Sequence, residues 1–304
     1  MTTFAHPATP HGVFDHRMAV FGTDEEFLEA ALPFLAEGLT APGEPAPVAI
    51  TTPARLALLR DTFRDTISYV PHTDWYTGSA PNAIAQGAGY LAEHAGPGGR
   101  IHLLMEPDWA GRAGSSARER TEWIRYESLA NLLFAPLATT ALCVYDTRIA
   151  APEVITQARR THPGTGGYED PYRLTAELDA VPLPAAPADA EPLPVDAVAA
   201  WAGARGLAAT DAELFAAAVG EAAHALGPHR AEVRVWGDAP ACVAELRIPG
   251  YLDDPLAGFV PPPGGLRPER GQGLWFARQV CAYVDVRGGT GPASTTAVRV
   301  QYGR

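Results

Sequence analysis

The segment Arg100–Glu106, RIHLLME, is a short apolar run that ends in a carboxylate, and Thr140–Asp146, TALCVYD, repeats this pattern further along the chain. Between them, Ser116 can cap a long helix that extends to Phe134. Apolar runs of this length next to helices are typical of strands that are buried on both faces of a parallel sheet. The two segments therefore predict an α/β fold.

The chain before Arg100 continues the same alternation. Strands are predicted at Arg17–Phe21, Pro47–Thr52 and Ile67–Pro71. Helices are predicted to begin at Thr23, with Glu26 completing a capping box, and at Thr52, with a further helix over Asn82–His94. With a last helix over Pro152–Thr161, this order predicts a mostly parallel sheet covered by helices on both faces.

A proline- and alanine-rich segment, VPLPAAPADAEPLP (Val181–Pro194), is typical of a stiff, extended linker. We therefore divide the chain into a leader (1–15), a first domain (16–178), a linker (179–194) and a second domain (195–304). The second domain is predicted to hold helices over Asp196–Arg205, Thr210–Leu226 (with a Thr210–Glu213 capping box) and Leu274–Ala282, and strands over Glu232–Trp236, Ala241–Arg247 and Thr296–Tyr302.

Composition excludes several classes of function. The 304 residues carry a formal net charge of −12 and a pI of about 5.2, so the chain offers no basic surface for DNA or RNA. All 23 basic residues are arginine, which excludes a P-loop lysine, a Schiff-base lysine and a Ser-Lys dyad. No signal peptide and no long apolar stretch is found, so we expect a soluble, cytoplasmic protein without membrane contacts.

The cysteines and histidines do not form a metal-binding pattern in the sequence. Cys143, Cys242 and Cys281 lie far apart without CxxC spacing, which predicts reduced, buried thiols. His16 and His162 are likewise isolated in the chain, so the sequence predicts no metal site.

The second domain carries two segments that belong together, GEAAHALGPH (Gly220–His229) and GQGLWFARQVC (Gly271–Cys281). With the order helix, helix, strand, strand, glycine-rich loop, helix, strand, they resemble the GHKL (HATPase-like) fold, an α/β sandwich, and in particular its anti-sigma serine-kinase domains. The resemblance implies that Glu221 is the general base and that the glycine-rich turn at Gly271, Gly273 and Leu274 approaches the phosphates.

Two positions depart from that family's nucleotide site. Ala225 stands where the family has an asparagine that binds magnesium, and Ile248 stands where it has an aspartate that binds adenine. A shifted alignment would place Asp253 or Asp254 in the aspartate's role. We expect a degenerate site, a pseudo-ATPase, and no cofactor; ATP and magnesium would bind only if other groups rebuild the pocket.

The first domain resembles MEDS sensory domains, which belong to the RecA-like α/β class. The landmarks that carry this resemblance are His16, EFLEAALPFLAEGL (Glu26–Leu39), EPDWAGR (Glu106–Arg112), RYESLANLLFA (Arg125–Ala135), CVYDTR (Cys143–Arg148) and the pair His162-Pro163. No GxxxxGK[ST] motif is present, which excludes nucleotide hydrolysis in this domain.

A ligand crevice is predicted at the carboxyl ends of the strands, where open α/β sheets bind ligands and where Glu106 and Asp146 lie. The candidate pocket residues are His16, Glu106, Trp109, Arg112, Tyr126, Glu127, Asn131, Tyr145 and Asp146. The alternative is that pairs such as Arg112 and Glu127 are structural ion pairs and that Trp109 is part of the core.

Three functions remain open. Anti-sigma regulators join the same two domains, which implies a protein-binding regulator whose partners are a sigma factor or an anti-anti-sigma (STAS-type) protein, and the family suggests a homodimer. The alternative is an active serine/threonine kinase in which Glu221 activates a serine of the antagonist. A histidine kinase that uses His224 or His229 lacks the dimerisation helices that would precede it.

Overall fold

The computed structural model describes residues 14–94, 100–137, 139–226, 232–249, 256–262, 271–288 and 295–304. Contacts divide the chain into two compact units, the first ending at Leu174 and the second running from Thr175 to Arg304. No helix within the described residues has both the length and the apolar character needed to cross a membrane.

The first unit is built on a five-stranded sheet in which every neighbouring pair is parallel. Its strands are β1 (Asp15–Phe21), β2 (Val48–Thr51), β3 (Ser68–Pro71), β4 (Ile101–Met105) and β5 (Thr139–Asp146). They lie in the order β1-β5-β4-β2-β3. The predicted α/β class and the parallel sheet are thus confirmed.

Helices of the first unit follow the strands in turn. They are α1 (Asp24–Thr40), α2 (Pro53–Phe63), α3 (His72–Trp75), α4 (Ala80–His94), α5 (Ala117–Leu133) and α6 (Pro152–Thr161). Phe27 and Leu35 of α1 pack with Leu104, Leu142 and other buried residues on one sheet face. Alternate residues of a strand point to opposite sides of the sheet. Side chains on the other face, such as Cys143 of β5, contact α5.

Capping at the predicted N-termini of α1 and α5 is confirmed. The Thr23 hydroxyl accepts a hydrogen bond from the Glu26 amide at 3.2 Å, and the Glu26 carboxylate accepts one from the Thr23 amide at 3.2 Å. Ser116 accepts from the Glu119 amide at 3.0 Å at the start of α5. These bonds satisfy amides that a helix start would otherwise leave without a partner.

The second unit contains an antiparallel five-stranded sheet in the order β6-β7-β8-β10-β9. Its strands are β6 (Glu191–Leu193), β7 (Glu232–Trp236), β8 (Val243–Pro249), β9 (Tyr283–Arg287) and β10 (Thr295–Gln301). Its helices are α8 (Val198–Ala204), preceded by a 3₁₀ turn over Val195–Ala197, α9 (Ala209–Ala225) and α10 (Leu274–Val280); helix α7 (Pro171–Asp179) includes the boundary between the units.

Two strands and two helices differ from the prediction. Strand β6 lies inside the segment predicted as the linker 179–194, and β9, α3 and α7 were not predicted. Both strands are short edge strands with a single neighbour. An edge strand of this kind is defined by pairing with its neighbour more than by its own residue pattern, so the sequence gives little sign of it.

The predicted capping box at Thr210 and Glu213 is wrong. Helix α9 begins at Ala209, so Thr210 is already its second helical residue. The carbonyl of Ala208 accepts the first hydrogen bond, from the Ala212 amide at 2.8 Å. Because a capping residue must have extended backbone angles, Thr210 cannot serve as the cap once the helix has started before it.

Candidate functional site

Arg55 of α2 joins the two carboxylates predicted at the carboxyl edge of the parallel sheet. Its guanidinium donates one hydrogen bond to Glu106, which follows β4, and one to Asp146, the last residue of β5. Thr51 at the end of β2 also donates to Glu106. All four side chains are buried, so the ion pairs replace the water that these charges lose on folding.

Arg148 extends this charged group towards solvent. Its Nε atom lies 2.9 Å from Asp146 Oδ1, and its Nη2 atom lies 2.8 Å from Asp24 Oδ1. Burial alone would raise the pKa of Asp146, but hydrogen bonds from Arg148 and the charge of Arg55 outweigh it and lower that pKa. Asp146 is therefore an anion held between two arginines.

A cavity of about 470 Å³ lies beside these arginines at the carboxyl edge. It is lined by Asp24, Thr52, Ala54, Arg55, Leu58, Asp146, Arg148 and Ile149. A separate cavity next to Trp109 and Glu106 has a volume of only about 10 Å³. A ligand in the larger cavity would thus contact Arg55 and Arg148, neither of which is among the predicted pocket residues.

Trp109, Arg112 and Tyr126 have structural neighbours. Trp109 is buried, and its ring centroid lies 6.1 Å from that of Tyr145. Arg112 Nε is 3.4 Å from Glu119 Oε2, so its ion-pair partner is Glu119 and not Glu127. The ring centroid of Tyr126 lies 5.5 Å from that of Trp123, and both side chains are buried in the core.

A second group of polar side chains is buried under α5, on the sheet face opposite α1. His16 of β1, Glu127 of α5, Cys143 of β5 and His162 directly after α6 place their ligating atoms within 4.8 Å of one another. The His16 Nε2 atom lies 3.2 Å from Cys143 Sγ and 3.3 Å from Glu127 Oε2. Glu127 Oε2 is also 3.7 Å from Cys143 Sγ and 3.7 Å from His162 Nε2. We call these four side chains the His-Glu-Cys-His cluster.

The outer nitrogens of both histidines are held by oxygen acceptors. Asn131 donates through Nδ2 to three backbone carbonyls, among them that of Thr161 at 2.7 Å, which turns its Oδ1 atom towards His16 Nδ1 at 3.1 Å. His162 Nδ1 donates to the Ala158 carbonyl at 2.7 Å. Each Nδ1 therefore carries the proton, and each Nε2 atom presents its lone pair to the cluster.

Burial shifts the pKa values of all four side chains of the cluster in the direction that favours their uncharged forms. It lowers the pKa of His16 to about 4, and burial together with the adjacent His16 lowers the pKa of His162 to about 3. Burial raises the pKa of Glu127. Burial, and to a smaller extent the negative charge of Glu127, raise the pKa of the Cys143 thiol well above its ordinary value. The histidines are therefore neutral near pH 7.

In the second unit, Glu221 binds the glycine-rich turn. Its Oε1 atom accepts a hydrogen bond from the Gly271 amide at 2.6 Å, and its Oε2 atom accepts one from the Gly273 amide at 2.9 Å. Gly273 has a φ of 58°, and a Cβ atom there would lie 3.2 Å from the Ala225 Cβ. The carboxylate thus occupies the amides that the resemblance assigns to phosphate.

Of the other residues of the predicted nucleotide site, Ala225 is exposed at the end of α9, and two lie in the core. Ile248 of β8 and Leu274 of α10 are buried in the hydrophobic core of the second unit. Asp253, Asp254 and His229 lie outside the described residues. His224 is an exposed residue in the last turn of α9.

Comparison with known families places both groups of the first unit in one domain. Residues 15–163 match the family model described as MEDS, MEthanogen/methylotroph, DcmR Sensory domain. Residues 15–163 form a MEDS domain. A sensory domain indicates a signalling or regulatory role for the chain. Among curated proteins and among solved structures, no significant match was found.

Within the MEDS domain, the predicted pocket residues separate into two groups. Glu106, Trp109 and Asp146 lie at the carboxyl edge, whereas His16, Glu127 and Asn131 lie at the buried cluster under α5. No sequence pattern pointed to Arg55 as a site residue, and Cys143 was predicted only as a buried thiol. Strand alternation could have linked Cys143 to the predicted pocket residue Tyr145, because the two side chains lie on the same face of β5. Cys143, Cys242 and Cys281 are all buried and form no disulfide, as predicted.

Proposed function

We propose that this chain is a transcription regulator in which the MEDS domain senses a small ligand and a GHKL-type second domain transmits the signal by binding another protein. The observation that carries the non-catalytic part of this proposal is the contact of Glu221 with the amides of Gly271 and Gly273. A general base whose two oxygens both accept backbone hydrogen bonds is not free to receive the proton of a serine hydroxyl.

Two neighbouring positions support the same conclusion. The methyl group of Ala225 cannot bind magnesium, and the apolar Ile248 side chain cannot accept a hydrogen bond from adenine. A phosphate group would also have to displace the Glu221 carboxylate, because two anions at the same amides repel each other. The second domain is therefore proposed to act as a protein-binding surface without ATP turnover.

For the first domain, we propose a RecA-like fold that binds its ligand in the carboxyl-edge cavity. Two guanidinium groups, of Arg55 and Arg148, and the carboxylate of Asp146 border that cavity. These charged groups favour a small polar ligand that can hydrogen bond to both signs of charge. Such a ligand would compete with the Arg148–Asp24 ion pair, which lies at the rim.

The proposed partners are a sigma factor or an anti-anti-sigma protein of the STAS type, and the chain is proposed to bind them as a homodimer. The acidic balance of the chain suits a partner with a basic surface, because opposite charges accelerate association. Ligand binding in the MEDS domain would change the affinity for that partner, which requires the ligand and the partner each to bind one of two conformations of the chain more tightly than the other.

The test uses the purified full chain and the purified sigma factors and STAS-type proteins encoded in the same genome. In biolayer interferometry, at least one of these proteins is expected to bind the chain in the absence of nucleotide. In calorimetry, Mg-ATP is expected to give no heat of binding up to about millimolar concentration. Failure to bind every such partner would overturn the proposal.

A Glu221→Ala variant separates the binding role from a kinase role. Removing the carboxylate frees the two glycine amides, so nucleotide affinity should rise while partner binding stays unchanged. Glu213→Ala, an exposed glutamate on the same helix, is the matched control. Magnesium-dependent phosphate transfer to an antagonist serine by the wild type, lost in Glu221→Gln, would instead establish the kinase.

A further inference from the structure

We propose that the His-Glu-Cys-His cluster of the MEDS domain is a binding site for one divalent transition-metal ion, with zinc as the ion that its donors match best. This inference is independent of the proposed partner binding, because it concerns only the buried face of the first unit. It rests on the spacing of the four donor atoms, their orientation, their charge and their burial.

The spacing of the donor atoms is close to that of a tetrahedral zinc site. Zinc–nitrogen and zinc–oxygen distances of about 2.0–2.1 Å and a zinc–sulfur distance of about 2.3 Å place tetrahedral ligands roughly 3.3–3.6 Å apart. Four of the contacts in the cluster measure 3.2, 3.3, 3.7 and 3.7 Å. Small side-chain rotations would therefore complete the coordination.

The orientation of the histidines is that of metal ligands. In metal sites, the nitrogen that does not bind the ion donates to a carbonyl or carboxylate, which fixes the ring. His16 does this to Asn131 Oδ1, and His162 does it to the Ala158 carbonyl. His162 Nε2 is buried, points into the cluster and has no hydrogen-bond partner within the described residues.

An ion of charge +2 would make the buried site electrically neutral. It would be matched by one thiolate and one carboxylate, while both histidines bind as neutral imidazoles. Coordination displaces the Cys143 thiol proton, and any proton on Glu127, to solvent. A site with nitrogen, sulfur and oxygen donors favours zinc over the hard cations magnesium and calcium, which prefer oxygen ligands.

The ligands come from four separate elements, so an ion would connect β1, α5, β5 and the end of α6. Metal binding at such a site adds to folding stability, because the unfolded chain does not hold the ligands together. A cleft of about 760 Å³ borders the cluster and is lined by His16 and by Pro163, Gly164 and Thr165, which follow His162. It offers an ion a route from solvent.

The test is a titration of the metal-free full chain with Co²⁺, followed by displacement with Zn²⁺. We expect one equivalent of Co²⁺ to produce the thiolate-to-cobalt charge-transfer band and the visible bands of tetrahedral cobalt. Zinc should abolish both. Folded wild-type protein that shows no such bands and retains no zinc after dialysis would overturn the proposal and leave a buried polar network only.

Variants locate the site. Cys143→Ser should remove the charge-transfer band. Cys281→Ser changes a buried thiol of the second unit, outside the cluster, and should leave the band intact. Asn131→Ala should weaken metal binding by about 10- to 100-fold, because it releases the His16 ring. A band that survives in Cys143→Ser but disappears in Cys281→Ser would contradict the assignment.

If Cys143→Ser does not fold, the wild type alone still decides the question. X-ray absorption at the zinc edge should give one sulfur at about 2.3 Å and nitrogen or oxygen ligands at about 2.0–2.1 Å. A coordination shell without sulfur would show that bound zinc lies elsewhere, and the proposal would fail.

Discussion

The Nε2 atom of His16 lies 3.2 Å from the Sγ atom of Cys143, and both side chains are almost completely buried. Asn131 holds the other ring nitrogen of His16, so the imidazole cannot rotate away without breaking that hydrogen bond. The thiol is therefore enclosed between the sheet and α5, where a bulky reagent has no direct access to its sulfur atom.

This enclosure predicts slow thiol chemistry. Burial raises the pKa of Cys143, of Cys242 and of Cys281, so little reactive thiolate is present at pH 8. In native buffer, dithionitrobenzoate should release far less than one equivalent of chromophore within minutes, and in urea all three thiols should react rapidly. Fast release of a full equivalent by the native protein would contradict the burial of these residues.

Removing Arg55 should destabilise the first unit strongly. Arg55→Met leaves Glu106 without its main counter-charge in a buried position, which costs about 3–5 kcal/mol in the free energy of unfolding. Arg60→Met, an exposed arginine on the same helix that stacks on Tyr69, should cost at most about 1 kcal/mol. Urea unfolding followed by circular dichroism measures both.

A second change at the same site provides the control for charge. Adding Glu106→Gln to Arg55→Met removes the uncompensated carboxylate, so the double variant should recover part of the lost stability. A double variant that is less stable than Arg55→Met alone would show that packing, and not charge, dominates at this edge.

The ion pairs of Glu245 should make the free energy of unfolding of the second unit depend on pH. Burial alone would raise the pKa of Glu245, but hydrogen bonds from Arg299 at 3.0 Å and Arg247 at 2.7 Å lower it below its usual value of 4.5. A carboxylate with a lowered folded-state pKa stabilises the protein above the pKa of the unfolded chain, and this contribution is lost as the pH falls through the folded-state pKa.

The measurement compares wild type with Glu245→Gln by urea unfolding from pH 7 down to pH 3. Wild type should be the more stable protein at pH 7, and the difference should shrink below about pH 4.5 as the carboxylate is protonated. A difference that stays constant over this range would mean that the charge of Glu245 does not contribute.

The glycine-rich turn should not tolerate a side chain at Gly273. Its φ of 58° is costly for other residues, and a Cβ atom would lie 3.2 Å from the Ala225 Cβ. Gly273→Ala should therefore lower the free energy of unfolding by about 1–2 kcal/mol. Gly203→Ala in α8, where a Cβ atom meets nothing within 4 Å, should be neutral or stabilising. Equal effects of the two substitutions would refute this.

Local sequence patterns determined most of the elements of the first unit. The apolar runs that became β2, β4 and β5 are long enough and continuous enough to indicate buried strands, and Thr23 with Glu26 fixes the start of α1. Local patterns did not predict the elements that depend on contacts with other parts of the chain. Strand β6 forms within a proline-rich segment because β7 offers it hydrogen-bond partners. Thr210 fails as a cap because α9 begins before it.

The sequence by itself determined that Glu106 and Asp146 lie at the carboxyl ends of two strands, Glu106 directly after β4 and Asp146 as the last residue of β5, and that Glu221 lies on a helix before a glycine-rich turn. Only the tertiary structure decided that Arg55 joins the two carboxylates, that Cys143 meets His16 and His162, and that Glu221 binds Gly271 and Gly273. The physical reason is that periodicity reveals which side of an element is buried, whereas the order of the strands in the sheet decides which buried sides face each other.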